Sequence, residues 1–355
     1  MPKNYSINIS DFTGIFRAMA EKANANGDKK LSGAEISLFN EIKSTYDPAT
    51  KTFIFGGTYY DESGKKVTPN KKENIISKKV NKQLEPFQSK NTNAIAKAKA
   101  LSKEFEQQNN RTVTVNKTVN GRSVKFTYNR AAIEKYIIDY SAESNDTDPV
   151  IFGHIPEIKQ KPFKERTKEE NYILVEFNNM VSNVINACVE YGVDPKMILA
   201  IIQKEVRFKG TGNRATGASG KGYMQMTSSP VGDMMGGQKK GKMCFNEKSE
   251  FKTDEYGPEV KKLLQNKGFK VNCKTADEKE ALFNDVMKYL KSNQDSDFNI
   301  RLGILLFRNN LIRAKGNLVK AANDYNTVDK TYGKKILSIY NRLCKAEKEY
   351  DKSKQ

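Results

Sequence analysis

Glu205 closes the run Pro195-Lys196-Met197-Ile198-Leu199-Ala200-Ile201-Ile202-Gln203-Lys204-Glu205. Ile198, Ile201 and Ile202 lie seven, four and three residues before it, so on a helix they share its face. The pattern aims the carboxylate along the buried side. An apolar setting disfavours the charged form, and a general acid must hold its proton near neutral pH. About twenty residues further on, after a Gly/Ser-rich stretch, comes Gly222-Tyr223-Met224-Gln225. The single histidine, His154, argues against Ser-His-Asp or Cys-His machinery and against a His-rich zinc site. Cys188, Cys244, Cys273 and Cys344 form no C-x-x-C pair; the sequence leaves free thiols and disulfides equally open.

A second set of chemistry-bearing residues lies near the N-terminus. Asn24, Asn26, Asp28, Lys30, Ser32 and Glu35 fall at positions 1, 3, 5, 7, 9 and 12 of a twelve-residue loop, with Leu31 at position 8. This is the calcium-loop pattern: alternating side-chain oxygens, a backbone carbonyl at position 7 and a bidentate Glu at position 12. It resembles an EF-hand. Two positions depart from it: Asn24 stands where Asp is usual, and Lys29 stands where Gly allows the sharp turn. Lys29 is expected to take a positive φ, at a cost of about 1 kcal/mol. With only Asp28 and Glu35 charged, the expected site is weak and suited to millimolar extracellular calcium.

The elements that must carry these residues follow from periodicity. Helices are expected over 10–23 (Phe12, Ile15, Phe16 and Met19 on one face) and around Ile36, Phe39 and Ile42, ending at Asp47-Pro48. Short strands are expected over 51–70 and helix-prone, Lys-rich chain over 71–110. A hairpin is expected around Asn120-Gly121, flanked by Thr112–Val115 and Val124–Tyr128, with a helix over 130–142. Ser141 to Glu169 reads as a linker or an extended packing arm. A long amphipathic helix over 171–191 stops at Gly192, and the Glu205 helix spans 195–207. Residues 208–250 read as largely loop. Helices follow near 256–266, 277–291, 297–314 and 331–349.

Residues 170–349 are similar to the lysozyme-like domain of soluble lytic transglycosylases, relatives of goose-type lysozyme. The resemblance rests on five features in order: Gly192-Val193-Asp194-Pro195; a helix ending in Glu205-Val206; Gly222-Tyr223-Met224-Gln225 behind Ser219-Gly220-Lys221; Asn299-Ile300-Arg301-Leu302-Gly303; and Asp324-Tyr325-Asn326, with Tyr332 and a closing helix behind it. It covers about half the chain. It implies that Glu205 protonates the glycosidic oxygen between N-acetylmuramic acid and N-acetylglucosamine. Glu205 then acts as base on the sugar's C6 hydroxyl, giving a 1,6-anhydromuramoyl end. It further implies that Met224 and Gln225 line the glycan groove, Gly222 admits close approach, Tyr325 orients Glu205 and Asn326 contacts sugar. Tyr223, where the family has Leu, offers either a stacking surface or core filling. No cofactor is implied for catalysis. Val206 replaces a Ser, removing a substrate hydrogen bond, and Asp324 replaces an Ala. Asp233 and Asp324 are the candidate second acids if the enzyme hydrolyses, since ordinary glycosidases use two carboxylates.

The expected fold class is mainly α, α+β overall. Its parts are an EF-hand-like helix-loop-helix (1–50), a basic α+β region with a hairpin (51–145), a linker (146–169), the lysozyme-like domain (170–350) and a short tail (351–355). Residues 51–130 hold 17 Lys/Arg against 6 Asp/Glu, and the chain carries a formal net charge of +19. That charge suits a solvated basic surface or a polyanionic partner such as nucleic acid, anionic lipid or an acidic cell-wall polymer; the resemblance implies peptidoglycan strands and acidic wall polymers. No nucleic-acid-binding motif is present and no apolar run is long enough for a membrane span. Met1 to Ala20 lacks the apolar stretch of a signal peptide, so the expected cell-envelope, periplasmic, secreted or virion setting requires a leader outside this sequence or another export route. The remaining expectations are a hydrolytic lysozyme on the same fold, and a non-catalytic calcium-binding wall or virion protein.

Overall fold

The structure, a computed structural model, describes residues 6–48, 50–68, 91–103, 111–119, 121–143, 151–208, 222–240, 242–246, 248–251, 257–292 and 295–353. The chain is mostly helical with small antiparallel sheets. Among the described residues no helix is long and apolar enough to cross a membrane. It divides into two compact units, one of Lys3–Arg111 with Gly153–Asn179, the other of Thr112–Phe152 with Met180–Gln355.

In the first unit, α1 (Gly14–Ala23) and α2 (Gly33–Ser44) flank the 24–35 loop, and a helix α3 covers 91–103. The expected first helix begins late: Ile9–Asp11 is a 3-10 turn and Phe12 precedes α1. Phe12 still reaches the core, 4.7 Å from the Phe39 ring, with Met19, Ile36 and Ile42 fully buried. Two residues before the loop, β1 (Ile7–Asn8), pair with two inside it, β2 (Lys30–Leu31). Strands β3 (Thr52–Phe55), β4 (Thr58–Asp61) and β5 (Lys66–Val67) form a meander. Gly56 and Gly57 turn β3 into β4 with φ of +56° and +68°, the positive pair that a two-residue hairpin needs. Asn91, fully buried, accepts the Thr13 N–H and ties α3 to α1.

The segment 146–169, expected as a linker or an extended packing arm, is an ordered arm where it is described. It holds a 3-10 turn (Ile151–His154), α5 (Ile155–Gln160) and a second turn (Phe163–Glu165). The physical reason is apolar spacing at helical intervals: Ile155 and Ile158 are buried. Residues 71–90 and 104–110 lie outside the described residues.

The second unit opens with an eight-residue hairpin, β6 (Thr112–Val119) and β7 (Arg122–Asn129), leading into α4 (Arg130–Glu143). The expected boundary at 145/146 is therefore displaced. The hairpin and α4 belong with the C-terminal helices because polar bonds hold them there. Lys117 donates to the Glu190 carbonyl at 2.9 Å, and Tyr136 donates to Gln203 at 2.9 Å. Helices α6 (Lys168–Tyr191, whose second half lies here), α7 (Pro195–Val206), α11 (Ser296–Arg313), α12 (Leu318–Tyr325) and α13 (Tyr332–Lys352) form the main body. Between them α8 (Ser228–Met234), the hairpin β8 (Gln238–Lys240)–β9 (Lys242–Cys244), α9 (Gly257–Asn266) and α10 (Ala276–Ser292) complete the unit. Within 208–250, expected to be largely loop, the described residues include the short helix α8 and the β8–β9 hairpin. Cys188, Cys273 and Cys344 are free thiols, with Cys188 buried.

A buried ion cluster joins three of these elements. Lys196, on α7, is 3% exposed. Its ammonium lies 3.0 Å from Glu347 of α13 and 3.4 Å from Asp194, and it donates to the Thr127 carbonyl of β7. Glu347 also accepts the Asn129 N–H at 2.5 Å, and Tyr340 donates to Asp194 at 3.1 Å. Removing one partner of a buried pair strands the other charge, which costs about 3–5 kcal/mol. Lys196→Met should therefore lower the unfolding free energy of this unit by about that amount in urea titration. A loss under about 1 kcal/mol would show that the cluster is solvated like a surface pair.

Candidate active site

Glu205 is positioned by a helix whose start is fixed by four residues. Gly192 ends α6 with φ +70°, and the following Val193 N–H reaches back to the Cys188 carbonyl at 2.9 Å. Asp194 then caps α7 by accepting the Lys196 N–H at 2.9 Å, and Pro195 occupies the first turn, where no N–H is needed. Ile198, Leu199, Ala200, Ile201 and Ile202 are all wholly buried. The helix stops at Arg207, whose φ is +50°. Glu205 sits on the last turn, half-buried.

The phenol of Tyr332 donates to Glu205 Oε1 at 2.6 Å. Among the described residues it is the only hydrogen-bond partner of that carboxylate. Tyr332 opens α13 and is 1% exposed. Burial, and then the Glu205 charge, push its hydroxyl far above the usual phenol range, so it remains a donor. Its backbone is fixed from the other side. The Gly333 N–H donates to Asn323 at 2.7 Å, and a Cβ on Gly333 would fall 2.1 Å from the Val319 carbonyl.

The Gly222–Gln225 turn is held through its main chain. The Met224 N–H donates to Asn299 Oδ1 at 2.9 Å, and the Met224 carbonyl accepts the Tyr325 hydroxyl at 2.6 Å. Gly222 has φ +69°, and a Cβ there would meet Asn299 Cγ at 2.4 Å. Gly303, one helical turn after Asn299, leaves room for the Met224 side chain; a Cβ would fall 2.6 Å from it. Gln225, with φ +46°, directs both its backbone N–H and its side-chain amide to the Gly222 carbonyl. Burial, and then the Glu205 charge, also push the Tyr325 phenol up.

Several residues stand otherwise than expected. The phenol that orients Glu205 belongs to Tyr332, not Tyr325; Tyr325 instead fastens the Met224 carbonyl. Tyr223 is fully buried, so its ring fills the core rather than stacking on a ligand. Met224 is equally buried and meets the site through its backbone. Asn326 Oδ1 accepts the N–H groups of Val328 and Asp329, each at 3.2 Å, in the turn toward α13. Asp324 and Asp233 are exposed, and neither is hydrogen-bonded to Glu205. Ser219-Gly220-Lys221 lies outside the described residues. Tyr332 carried a usable signal, a Tyr-Gly pair opening the closing helix, but no periodicity links it to Glu205.

In the other unit, the 24–35 loop folds upon its own side chains. Asn24, Asn26 and Asp28 accept the N–H groups of Gly27, Asp28 and Lys30 at 2.9–3.1 Å. Lys29 takes φ +65°. Ser32 and Glu35 form a capping box that starts α2, and the Ser32 hydroxyl donates to Asn179 at 2.9 Å. Glu35 is fully buried and accepts the N–H groups of Ala25, Asn26 and Ser32. Burial pushes its carboxyl above the ordinary 4.5, bonds from Ser32 pull it back, and Asp28 pushes it up again. The like charges of Asp28 and Glu35 are what a cation would offset; the three N–H bonds to Glu35 already close the loop without one. Among the described residues no group of three or more His, Cys, Asp or Glu side chains is placed to hold a metal ion; a cation here would draw on Asn24, Asn26, Asp28, the Lys30 carbonyl, Ser32 and Glu35.

No family model, curated protein or solved structure matches the chain.

Two outcomes follow from this geometry. Gly222→Ala should cost about 2 kcal/mol or more, from a positive φ plus a clash, while Gly121→Ala, at φ +77° with open space around it, should cost about 1–2. Chemical denaturation of the two variants checks the difference. Because the folded Glu35 carboxyl is raised, its stabilising contribution is complete below 4.5 and is lost as pH rises through the folded value. Melting of Glu35→Gln should show a flatter pH dependence than the natural chain above pH 4.5; identical slopes would exclude the effect.

Proposed function

We propose that the chain is a peptidoglycan lytic transglycosylase with Glu205 as acid and then base, on a lysozyme-like domain. The observation that carries the reading is the Tyr332–Glu205 bond of 2.6 Å beside the main-chain-anchored Met224 turn. Five motifs in the order expected of this family supply every part of that arrangement.

The chemistry needs one carboxyl group. Protonated Glu205 gives its proton to the bridging oxygen as the C1–O bond between N-acetylmuramic acid and N-acetylglucosamine breaks. The departing sugar leaves with a free hydroxyl. The C6 hydroxyl of the muramoyl residue then attacks C1 and returns its proton to Glu205, closing the 1,6-anhydro ring. Water is not consumed. Tyr332 occupies Oε1 as a donor, leaving Oε2 to carry the moving proton and fixing the carboxyl plane. Gln225 and Asn326 are the sugar contacts in this reading, with Gly222 admitting close approach. Tyr223 takes no part.

The partners are peptidoglycan glycan strands and acidic wall polymers drawn by the basic surface, in a cell-envelope, secreted or virion setting. The N-terminal loop is a weak calcium site whose role is structural. Calorimetry at millimolar calcium, compared between the natural chain and Asp28→Asn, tests it through heat of binding rather than activity.

Glu205→Gln should abolish release of muropeptides with little change in melting temperature; retained activity would sink the assignment. Tyr332→Phe should lower kcat by about 10–100-fold with KM nearly unchanged and a displaced acid limb of the pH profile. Mass spectrometry of the products decides between anhydro ends, as proposed, and the reducing ends of a hydrolytic lysozyme.

A further inference from the structure

Shortly after Glu205, Arg207 and Phe208 both take a left-handed backbone conformation, with φ of +50° and +55°. Among the described residues they are the only adjacent non-glycine pair with positive φ. A bulky side chain in that region is strained, and such strain persists only where the surroundings over-determine it. Helix α4 supplies those surroundings. The Phe208 side chain is wholly buried, with the Tyr140 ring edge-on to it at 5.9 Å. One turn earlier on α4, the Tyr136 hydroxyl donates to Gln203 Oε1 at 2.9 Å, and Gln203 is itself buried. The Gln203 carbonyl accepts the Arg207 N–H at 2.9 Å and so ends α7. Helix α4 is fastened in turn: Arg130, buried at its start, donates to Ser182 of α6 at 2.8 Å.

We propose that Phe208, held under Tyr140, is a positioning residue that sets the Glu205 carboxyl against the Tyr332 phenol. Glu205 lies between two attachments to α4, Gln203 before it and Phe208 after it. These span less than two helical turns, so a shift at either end rotates Glu205 about the helix axis. The last turn of a helix frays unless something holds it. A frayed turn would carry the carboxyl away from the 2.6 Å bond to Tyr332, and a misplacement of about 1 Å costs a positioned acid about a hundredfold. The left-handed pair redirects the chain so that the Phe208 ring enters the core beside α4. Glycine would take the same φ unstrained but offers no ring to bury, so the strain here accompanies an anchor. Phe208 acts through Glu205 and touches none of the reacting atoms. Its consequence for catalysis rests on the transglycosylase reading; its effect on the Tyr332–Glu205 bond does not.

Two readouts on the intact chain test this. With tyrosine carbon-13 labelled at Cζ, the NMR resonance of Tyr332, assigned by its loss in Tyr332→Phe, reports the bond to Glu205. In Phe208→Ala and in Tyr140→Ala it should move toward its position in Glu205→Ala, where the bond is absent. Tyr140→Phe keeps the ring and should keep the natural position. Muropeptide release should show kcat lowered about 10–100-fold in Phe208→Ala with KM within about twofold, and natural values in Tyr140→Phe. An unmoved Tyr332 resonance in both alanine variants overturns the proposal, as does a loss carried by KM with kcat unchanged. If the resonance moves while even the natural chain releases no muropeptides, the transglycosylase reading falls and the positioning role stands. If Phe208→Ala fails to fold, Tyr140→Ala, at a half-exposed ring, decides alone.

Discussion

The buried ammonium of Lys196 is the constraint on which the second unit rests. A cation with 3% exposure is tolerable only where its surroundings are arranged around it. Asp194, Glu347 and the Thr127 carbonyl supply that arrangement, and they come from the start of α7, the far end of α13 and strand β7. The same two helices meet again at their opposite ends, where Tyr332 of α13 holds Glu205 of α7. Helices α7 and α13 are thus an antiparallel pair tied at both termini by polar contacts, with an apolar seam of Ile198, Ile201, Ile202, Ile336 and Ile339 residues buried on their two lengths. The ion cluster sets the register; the Glu205 carboxyl inherits its position from that register.

The short motifs act mainly as packing instructions. Asn299 and Gly303 touch no proposed ligand; one anchors the Met224 N–H and the other makes space for its side chain. Gly192-Val193-Asp194-Pro195 is a helix stop followed directly by a helix start, each residue answering a different backbone requirement. Tyr325 and Tyr332 divide a task that a linear reading assigns to one phenol.

Much of this was legible because it is local. The apolar run of α7, the Gly192 stop and the capping sequence all act within a few residues of themselves, and Lys29 takes the positive φ expected of its place in the 24–35 loop. Three things were not legible, each for a physical reason. The partner of Glu205 is 127 residues away, and nothing periodic connects them. Helix α12 and the α8 segment are short, so they lack enough turns to show a face. The allegiance of the 112–143 hairpin and helix depends on long-range bonds to Glu190, Gln203 and Glu347, which local composition does not encode.

That allegiance has a consequence for how the chain is made. The two units are interleaved along the sequence: the first closes only when Gly153–Asn179 is added, after the hairpin of the second has already been made. On a ribosome, β6, β7 and α4 therefore emerge before any of the helices they pack against exist. Their half-exposed valines and unpaired polar groups must wait through the completion of another body. The order of synthesis and the order of assembly run out of step, so a cut anywhere between 112 and 179 yields two fragments that each lack an essential piece.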